Sequence, residues 1–228
     1  MWKTIDNVGV MGTQSNIDWY KQNLPWVESA LGERIGDNNG DATYIRFFNP
    51  TDNTSYSRAI NPLKKHPLYS SPGWARGQTR YNYDYEGPAN RHETRLSAPP
   101  LIDISSPDSK WYDGLDHRQI LLHEAAHRKQ VDPNGWAQVS KPVVESLSKD
   151  PVYNQYVDYF ASSYIPSLYG RQMSDPERDG LTNYMKDDKE AFAFGLEQYR
   201  KQPMFRNIGV DTIKAYDNMF SEIQKGRP

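Results

Sequence analysis

Three residues able to do chemistry stand at fixed spacing in His123-Glu124-Ala125-Ala126-His127. On an α-helix, residues four apart project from one face, one turn apart. The two imidazoles can therefore converge on one metal ion. Glu124 sits roughly 100° round the helix from His123, where its carboxylate can deprotonate a water without being a ligand. Two histidine ligands and a carboxylate base are the parts of metal-assisted hydrolysis, with zinc the usual ion. The competing reading is an ordinary amphipathic helix, but two His and a Glu at ligand spacing are poor choices for a packed face.

The helix that must carry these groups is legible around them. Asp116 is the expected N-cap, with Gln119 three residues on as its capping-box partner. Ile120, Leu121 and Leu122 supply apolar surface, and the small Ala125 and Ala126 allow close packing. Asp132-Pro133-Asn134-Gly135 is the expected stop. His117, six residues before His123, faces elsewhere and reads as a surface or capping residue.

A catalytic zinc takes three protein ligands and leaves a position for water. The chain has no cysteine, so the ligands must be histidines and carboxylates. The metzincin spacing would need Gly at 130 and a ligand at 133, where this chain has Gln130 and Pro133. Asp132 is off the expected spacing and belongs to turn chemistry. The candidates further on are Glu190, Glu145, Glu177 and Asp158. Glu190 falls in the first turn of a helix expected to start at Asp187 or Asp188, a place where the helix dipole alone would favour a carboxylate.

Paired with Glu190-Ala191-Phe192-Ala193-Phe194, the HExxH segment resembles the gluzincin metallopeptidases. It is most similar to the anthrax lethal factor catalytic-domain family, whose third-ligand helix reads E-F-F-A-E-A-F. The resemblance is carried by motifs within residues 115–200. It implies a zincin-like fold, Zn2+ held by His123, His127 and Glu190, and Glu124 as general base. It also implies that Tyr184, six residues before Glu190, assists the oxyanion. Asp187, Asp188 and Glu197 are candidates to orient the imidazoles. The chain departs from the family in two places. Arg128-Lys129 follow the second histidine where an apolar or acidic continuation is usual, and Phe194 stands where the family repeats a Glu. The implied activity is a zinc-dependent endopeptidase acting on a peptide or protein substrate. Two other readings stand beside it: a structural or binding component of a larger assembly, such as a phage virion or tail, that keeps the fold, and a metal hydrolase acting on cell-wall material.

The rest of the chain bounds these readings. A formal net charge of −2 and a pI near 6.2 over 228 residues point away from nucleic acid or an anionic membrane as the main partner. Mean hydropathy is low at −0.88. With 16 Tyr and 6 Trp, the core is expected to be built from aromatic bodies with polar tips. The first residues lack an apolar leader segment, and no apolar run approaches a membrane span. The expected locations are cytoplasmic, virion-associated, or exported by a non-Sec route, without membrane insertion.

Ile17, Tyr20, Leu24, Val27 and Leu31 predict a helix over 13–31, with a break or a second start at Pro25. Residues 42–48 and Leu101–Ser105 read as strands, 49–77 as a loop, and Arg80–Glu86 as a period-two strand with its tyrosines on one face. Tyr153, Tyr156, Val157, Phe160 and Tyr164 predict a helix closed by Pro166 and Gly170. Another runs from Asp187 or Asp188 through Tyr199. A last one is capped by Asp211 and buries Ile213, Tyr216, Phe220 and Ile223. The expected fold class is α+β and zincin-like: a small mixed or antiparallel sheet packed on the active-site helix, with a helical C-terminal half. One domain spans 1–228, its 1–110 part holding strands and long loops and its 111–228 part carrying the metal site.

Overall fold

The computed structural model describes residues 2–36, 43–48, 77–80, 101–107, 116–130, 136–169 and 172–226. The chain is mixed α+β and mostly helical, and it divides into two compact units, Met1–Arg128 and Lys129–Pro228.

In the first unit, β1 (Trp2–Ile5) and β2 (Val8–Met11) form an antiparallel hairpin. Its two-residue turn, Asp6-Asn7, has φ of 47° and 65°, the positive pair that a type I′ turn needs and that Asp and Asn tolerate. α1 (Gln14–Leu31), β3 (Thr43–Phe48), β4 (Gly77–Arg80), β5 (Leu101–Ser105) and α2 (His117–Gln130) follow. The sheet order is β1-β2-β3-β5-β4. The inner pairs β2–β3 and β3–β5 are parallel, and the outer pairs are antiparallel. The register sets Val10 opposite Ile45, Ile45 opposite Ile102, and Phe47 opposite Ile104. These side chains are all buried, because β-branched and aromatic residues at period two share one face of the pleat.

α1 begins with a reciprocal capping box. The Thr13 hydroxyl accepts from the Asn16 N–H, and the Thr13 N–H donates to Asn16 Oδ1, both at 3.2 Å. Ile17, Tyr20, Leu24, Val27 and Leu31 are buried, as their spacing predicts. The break expected at Pro25 does not occur. An interior proline costs about 3 kcal/mol, but Leu24 and Val27 flank it in the core, and each buried side chain of that kind contributes roughly 1.5–3 kcal/mol. Asn16 Nδ2 donates to Ser106 Oγ at 2.7 Å, and the Trp19 ring meets Phe47 edge-on at 5.7 Å, so α1 is fixed to β3 and to the end of β5. Gly77 opens β4 rather than closing a loop. Of the expected Arg80–Glu86 strand, Tyr81–Glu86 lie outside the described residues, as does most of the 49–77 loop.

The second unit consists of α3 (Trp136–Val139), α4 (Lys141–Lys149), α5 (Pro151–Tyr159), a π-turn (Phe160–Tyr164), α6 (Ile165–Tyr169), α7 (Asp175–Lys186), α8 (Asp188–Tyr199), a 3-10 turn (Pro203–Phe205) and α9 (Val210–Lys225). Pro166 does not close the helix before it: α5, the π-turn and α6 run on without a gap. The wider turn gives the Pro166 ring, which has no N–H to donate, room that an α-turn would deny it. Asp211 lies in the first turn of α9, but Gly209 holds the cap position. The reason is Asp150, 59 residues away and buried. Its Oδ1 accepts from the N–H groups of Val152 (2.8 Å) and Tyr153 (3.2 Å), capping α5. Its Oδ2 accepts from Gly209 N–H (2.6 Å) and the Thr212 hydroxyl, holding the start of α9.

The core of this unit is aromatic, and the hydroxyls of its buried Tyr153 and Tyr216 are satisfied. Trp136 meets Phe192 and Phe220 edge-on at 5.9 and 5.8 Å. The Tyr216 hydroxyl donates to the Phe192 carbonyl at 2.7 Å, and the Tyr153 hydroxyl to the Met185 carbonyl at 2.9 Å. Among the described residues, no helix is long and apolar enough to cross a membrane.

Candidate metal centre

α2 carries the HExxH segment, and α1 positions its start. The His117 ring packs edge-on against Trp19 at 6.2 Å, and the Arg118 guanidinium lies 5.1 Å over the Trp26 ring. His117 is 7% exposed, so it is an anchoring residue rather than a surface one. Asp116 does cap the helix. Its side chain accepts from Arg118 N–H at 3.0 Å and its carbonyl from Gln119 N–H at 3.0 Å. The expected capping box with Gln119 is not formed, since Gln119 Oε1 has no hydrogen-bond partner among the described residues. The Arg118 side chain takes the Asp116 carboxylate instead. Leu121, Leu122, Ala125 and Ala126 are fully buried or nearly so, which fixes the helix rotation and hence the direction of the motif.

On that helix His123 and Glu124 are buried, at 8% and 6% exposure, and His127 is half-buried. The two Nε2 atoms are 3.1 Å apart and the ring centroids 4.7 Å. Two nitrogens sharing a tetrahedral zinc at about 2.0–2.1 Å must lie about 3.3 Å from each other. The observed separation is within a few tenths of an ångström of that edge.

α8 carries Glu190 in its first turn, half-buried. Asp187 caps the helix, its side chain accepting from Lys189 N–H at 3.1 Å. One ligand atom from each of His123, His127 and Glu190 lies within 4.8 Å of the others, and this group could hold a metal ion. It is the one such group of three among the described residues. The other carboxylates weighed from the sequence have different settings. Glu145 and Asp158 are exposed. Glu177 accepts from Ser174 N–H (2.8 Å) and the Ser174 hydroxyl (3.0 Å), capping α7. Asp132 lies outside the described residues.

Burial holds two phenols of the second unit in the neutral form. Burial raises Tyr153 well above its ordinary value, and Tyr156, Glu197 and Glu190 add to the rise. Burial likewise raises Tyr156, with Glu197 and Tyr164 adding to it. Tyr184 is in the last turn of α7 and is 42% exposed, while the adjacent Met185 is buried. Asp188 is exposed and Glu197 half-buried. The residues that sequence reasoning passed over here are structural. Gly195 lets α8 approach α4 and α9 closely, and Asp150 ties α5 to α9. Gly195 has no local signal, and Asp150 signals only its cap on α5, because Tyr216, Leu147 and the start of α9 are distant in the chain.

No protein-family model, curated protein or solved structure matches the chain.

Proposed function

We propose that the chain is a zinc-dependent endopeptidase with a zincin-like catalytic arrangement of the gluzincin type. The observation that carries the reading is the gathering of His123, His127 and Glu190 donor atoms, with Glu124 buried at the next helical position after His123. Two imidazoles and one carboxylate, with no thiolate in the chain, are a donor set suited to zinc. When bound, the ion would supply Lewis acidity and make a water nucleophilic near neutral pH.

The protein's own groups then have separate roles. Glu124 takes a proton from the attacking water and returns it to the leaving amine as the peptide bond breaks. Its burial limits competing solvent and strengthens each charge interaction it makes. Tyr184 donates a hydrogen bond to the substrate carbonyl oxygen as negative charge develops there. Among the described residues β4 is an edge of the sheet, and an edge strand can align an extended peptide by main-chain hydrogen bonds.

The test is metal content by mass spectrometry on chain purified without added zinc, beside His123→Ala and Glu190→Ala. The parent is expected to carry about one zinc, and both variants to lose it. Hydrolysis of a peptide library is then expected from the parent. Full metal retention in Glu190→Ala would remove the gluzincin assignment, and a parent that takes up no metal would remove the enzyme reading.

A further inference from the structure

A second surface feature lies in the segment between α8 and α9. Of the large apolar side chains exposed among the described residues, Met204 (80%), Val210 (66%) and Phe205 (61%) are the most exposed. They fall within seven residues of one another, whereas Ile208 between them is buried at 5%. Single exposed apolar residues are ordinary, but a cluster held out together is not.

The segment is built rather than loose. Phe205 N–H donates to the Gln202 carbonyl at 2.9 Å, closing the 3-10 turn. Arg206 Nε donates to the Lys201 carbonyl at 3.2 Å. Gln198 Oε1 accepts from Lys201 Nζ (3.0 Å) and Asn207 Nδ2 (2.8 Å). Gly209 is held by Asp150. Arg200 lies over the Tyr199 and Phe220 rings at 4.8 and 4.3 Å, and Arg206 over Tyr199 at 5.5 Å. Met204 and Phe205 thus stand exposed on a braced turn.

Charge selects the partner. From Gln198 to Asp217 the chain has Arg200, Lys201, Arg206 and Lys214 against Asp211 and Asp217. Asp217 accepts the Tyr199 hydroxyl, and Asp211 pairs with Lys214. Lys201 lies three residues before Met204 and Arg206 follows Phe205, both half-buried. The segment is net positive although the whole chain is −2.

We propose that the Met204-Phe205 turn is a peripheral anchor for an anionic lipid surface, with the two apolar side chains entering the boundary between headgroups and acyl chains and the flanking cations meeting lipid anions. Exposed apolar side chains with cations nearby in the chain suit an anionic interface. The proposal stands on surface residues alone and is independent of the metal centre.

The experiment is co-sedimentation of the full chain with vesicles of pure phosphatidylcholine and of an equimolar phosphatidylcholine–phosphatidylserine mixture. Binding is expected to the anionic vesicles and to fall with added salt. The Met204→Ser/Phe205→Ser variant should lose about tenfold or more of it, and Lys201→Gln roughly fivefold. The natural chain has no cysteine, so a polarity-sensitive dye on Phe205→Cys reports one site. Its emission should shift to the blue with anionic vesicles, while the same dye on the exposed Lys149→Cys should not shift. Thermal melts check that the variants fold. Three outcomes overturn the proposal: no sedimentation, sedimentation unchanged in the double serine variant, or a concentration-dependent self-association that the double serine variant removes. The last would make the turn a contact between copies.

Discussion

Gly195→Ala isolates what the helix bearing Glu190 requires of its surroundings. Helix propensity taken alone predicts a gain, since alanine in a helix interior is about 1 kcal/mol better than glycine. The structure predicts the opposite sign. A Cβ at position 195 would lie 2.6 Å from the Tyr216 hydroxyl oxygen, and 2.8 and 2.9 Å from the two methyls of Leu147. Both neighbours are fully buried, so neither can swing into solvent. The Tyr216 hydroxyl is also committed to the Phe192 carbonyl at 2.7 Å. Overpacking of this kind costs about 1–3 kcal/mol. If the ring moves, a buried donor and acceptor lose each other for about 1–3 kcal/mol more. Set against a gain of about 1 kcal/mol, the expected net loss is about 0–2 kcal/mol if the ring holds and about 1–5 kcal/mol if it moves.

The assay is urea unfolding followed by far-UV circular dichroism, with the midpoint compared at unchanged slope. A double-mutant cycle sharpens it. Tyr216→Phe removes the atom nearest the new methyl, so Gly195→Ala should cost less in that background than in the parent, and the two changes should not add. Because Gly195 is five residues after Glu190 on the same helix, zinc affinity should weaken in step with the packing loss and recover in the double variant. A Gly195→Ala chain more stable than the parent, or strictly additive with Tyr216→Phe, would refute the close-packing argument.

Other outcomes can be stated more briefly. Asp150→Ala leaves four donors without their acceptor, and should cost about 3–5 kcal/mol by the same urea measurement, since caps and hydrogen bonds to a charge are each worth about 1–3 kcal/mol. Glu124→Gln should keep its metal while peptide hydrolysis falls about 10²–10⁴-fold, as expected for loss of a general base. A parallel loss of metal would instead make Glu124 part of the ligand set. Tyr199 is raised from 10.0 to about 12, by burial first and then by its bond to Asp217. The folded state therefore holds that proton longer than the unfolded one. The stability it contributes is present below pH 10.0 and is lost as pH rises toward about 12. Melting temperature against pH should fall less steeply over that window in Tyr199→Phe, and an identical slope would count against the assignment.

What could be read from the sequence was local. The HExxH helix, α1 and α8 follow from apolar periodicity and from caps whose partners lie within four residues, and those forces act wherever the segment sits. The tyrosine-rich core follows from composition, since a phenol can be buried if its hydroxyl finds a carbonyl, as Tyr153 and Tyr216 do. Reading failed where distant residues decide. Asp150 holds Gly209, which takes the cap position of α9 in place of Asp211, across 59 residues. Burial overrides the breaking tendency of Pro25, and a π-turn accommodates Pro166. α7 carries a capping signature at Ser174-Asp175-Pro176-Glu177, but Leu181 and Met185 are the apolar residues it buries, too few to mark a helix by period. The β1–β2 hairpin has strands of only four residues. At the site, the spacing of His123, Glu124 and His127 needed no structure. Glu190 is 63 residues beyond His127, and its selection over Glu145, Glu177 and Asp158 depended on resemblance until donor distances were at hand.

The burial of α8 explains why Glu190 suits a ligand better than its helix-dipole position alone would. Ala191, Phe192, Ala193, Gly195, Leu196 and Gln198 are buried, so most of the helix circumference is committed to packing. Glu190, Phe194 and Glu197 are half-buried, and their spacing of four and three residues places them in one stripe. Phe194, one turn below Glu190, packs near Phe160 with ring centroids 6.1 Å apart. A carboxylate beside an aromatic wall is poorly hydrated by its neighbours, and it gains more from a cation than one in open solvent. Where the resembled family repeats a carboxylate, this chain has an apolar ring. The ring at Phe194 leaves the donors of the His123, His127 and Glu190 group, which could hold a metal ion, unchanged.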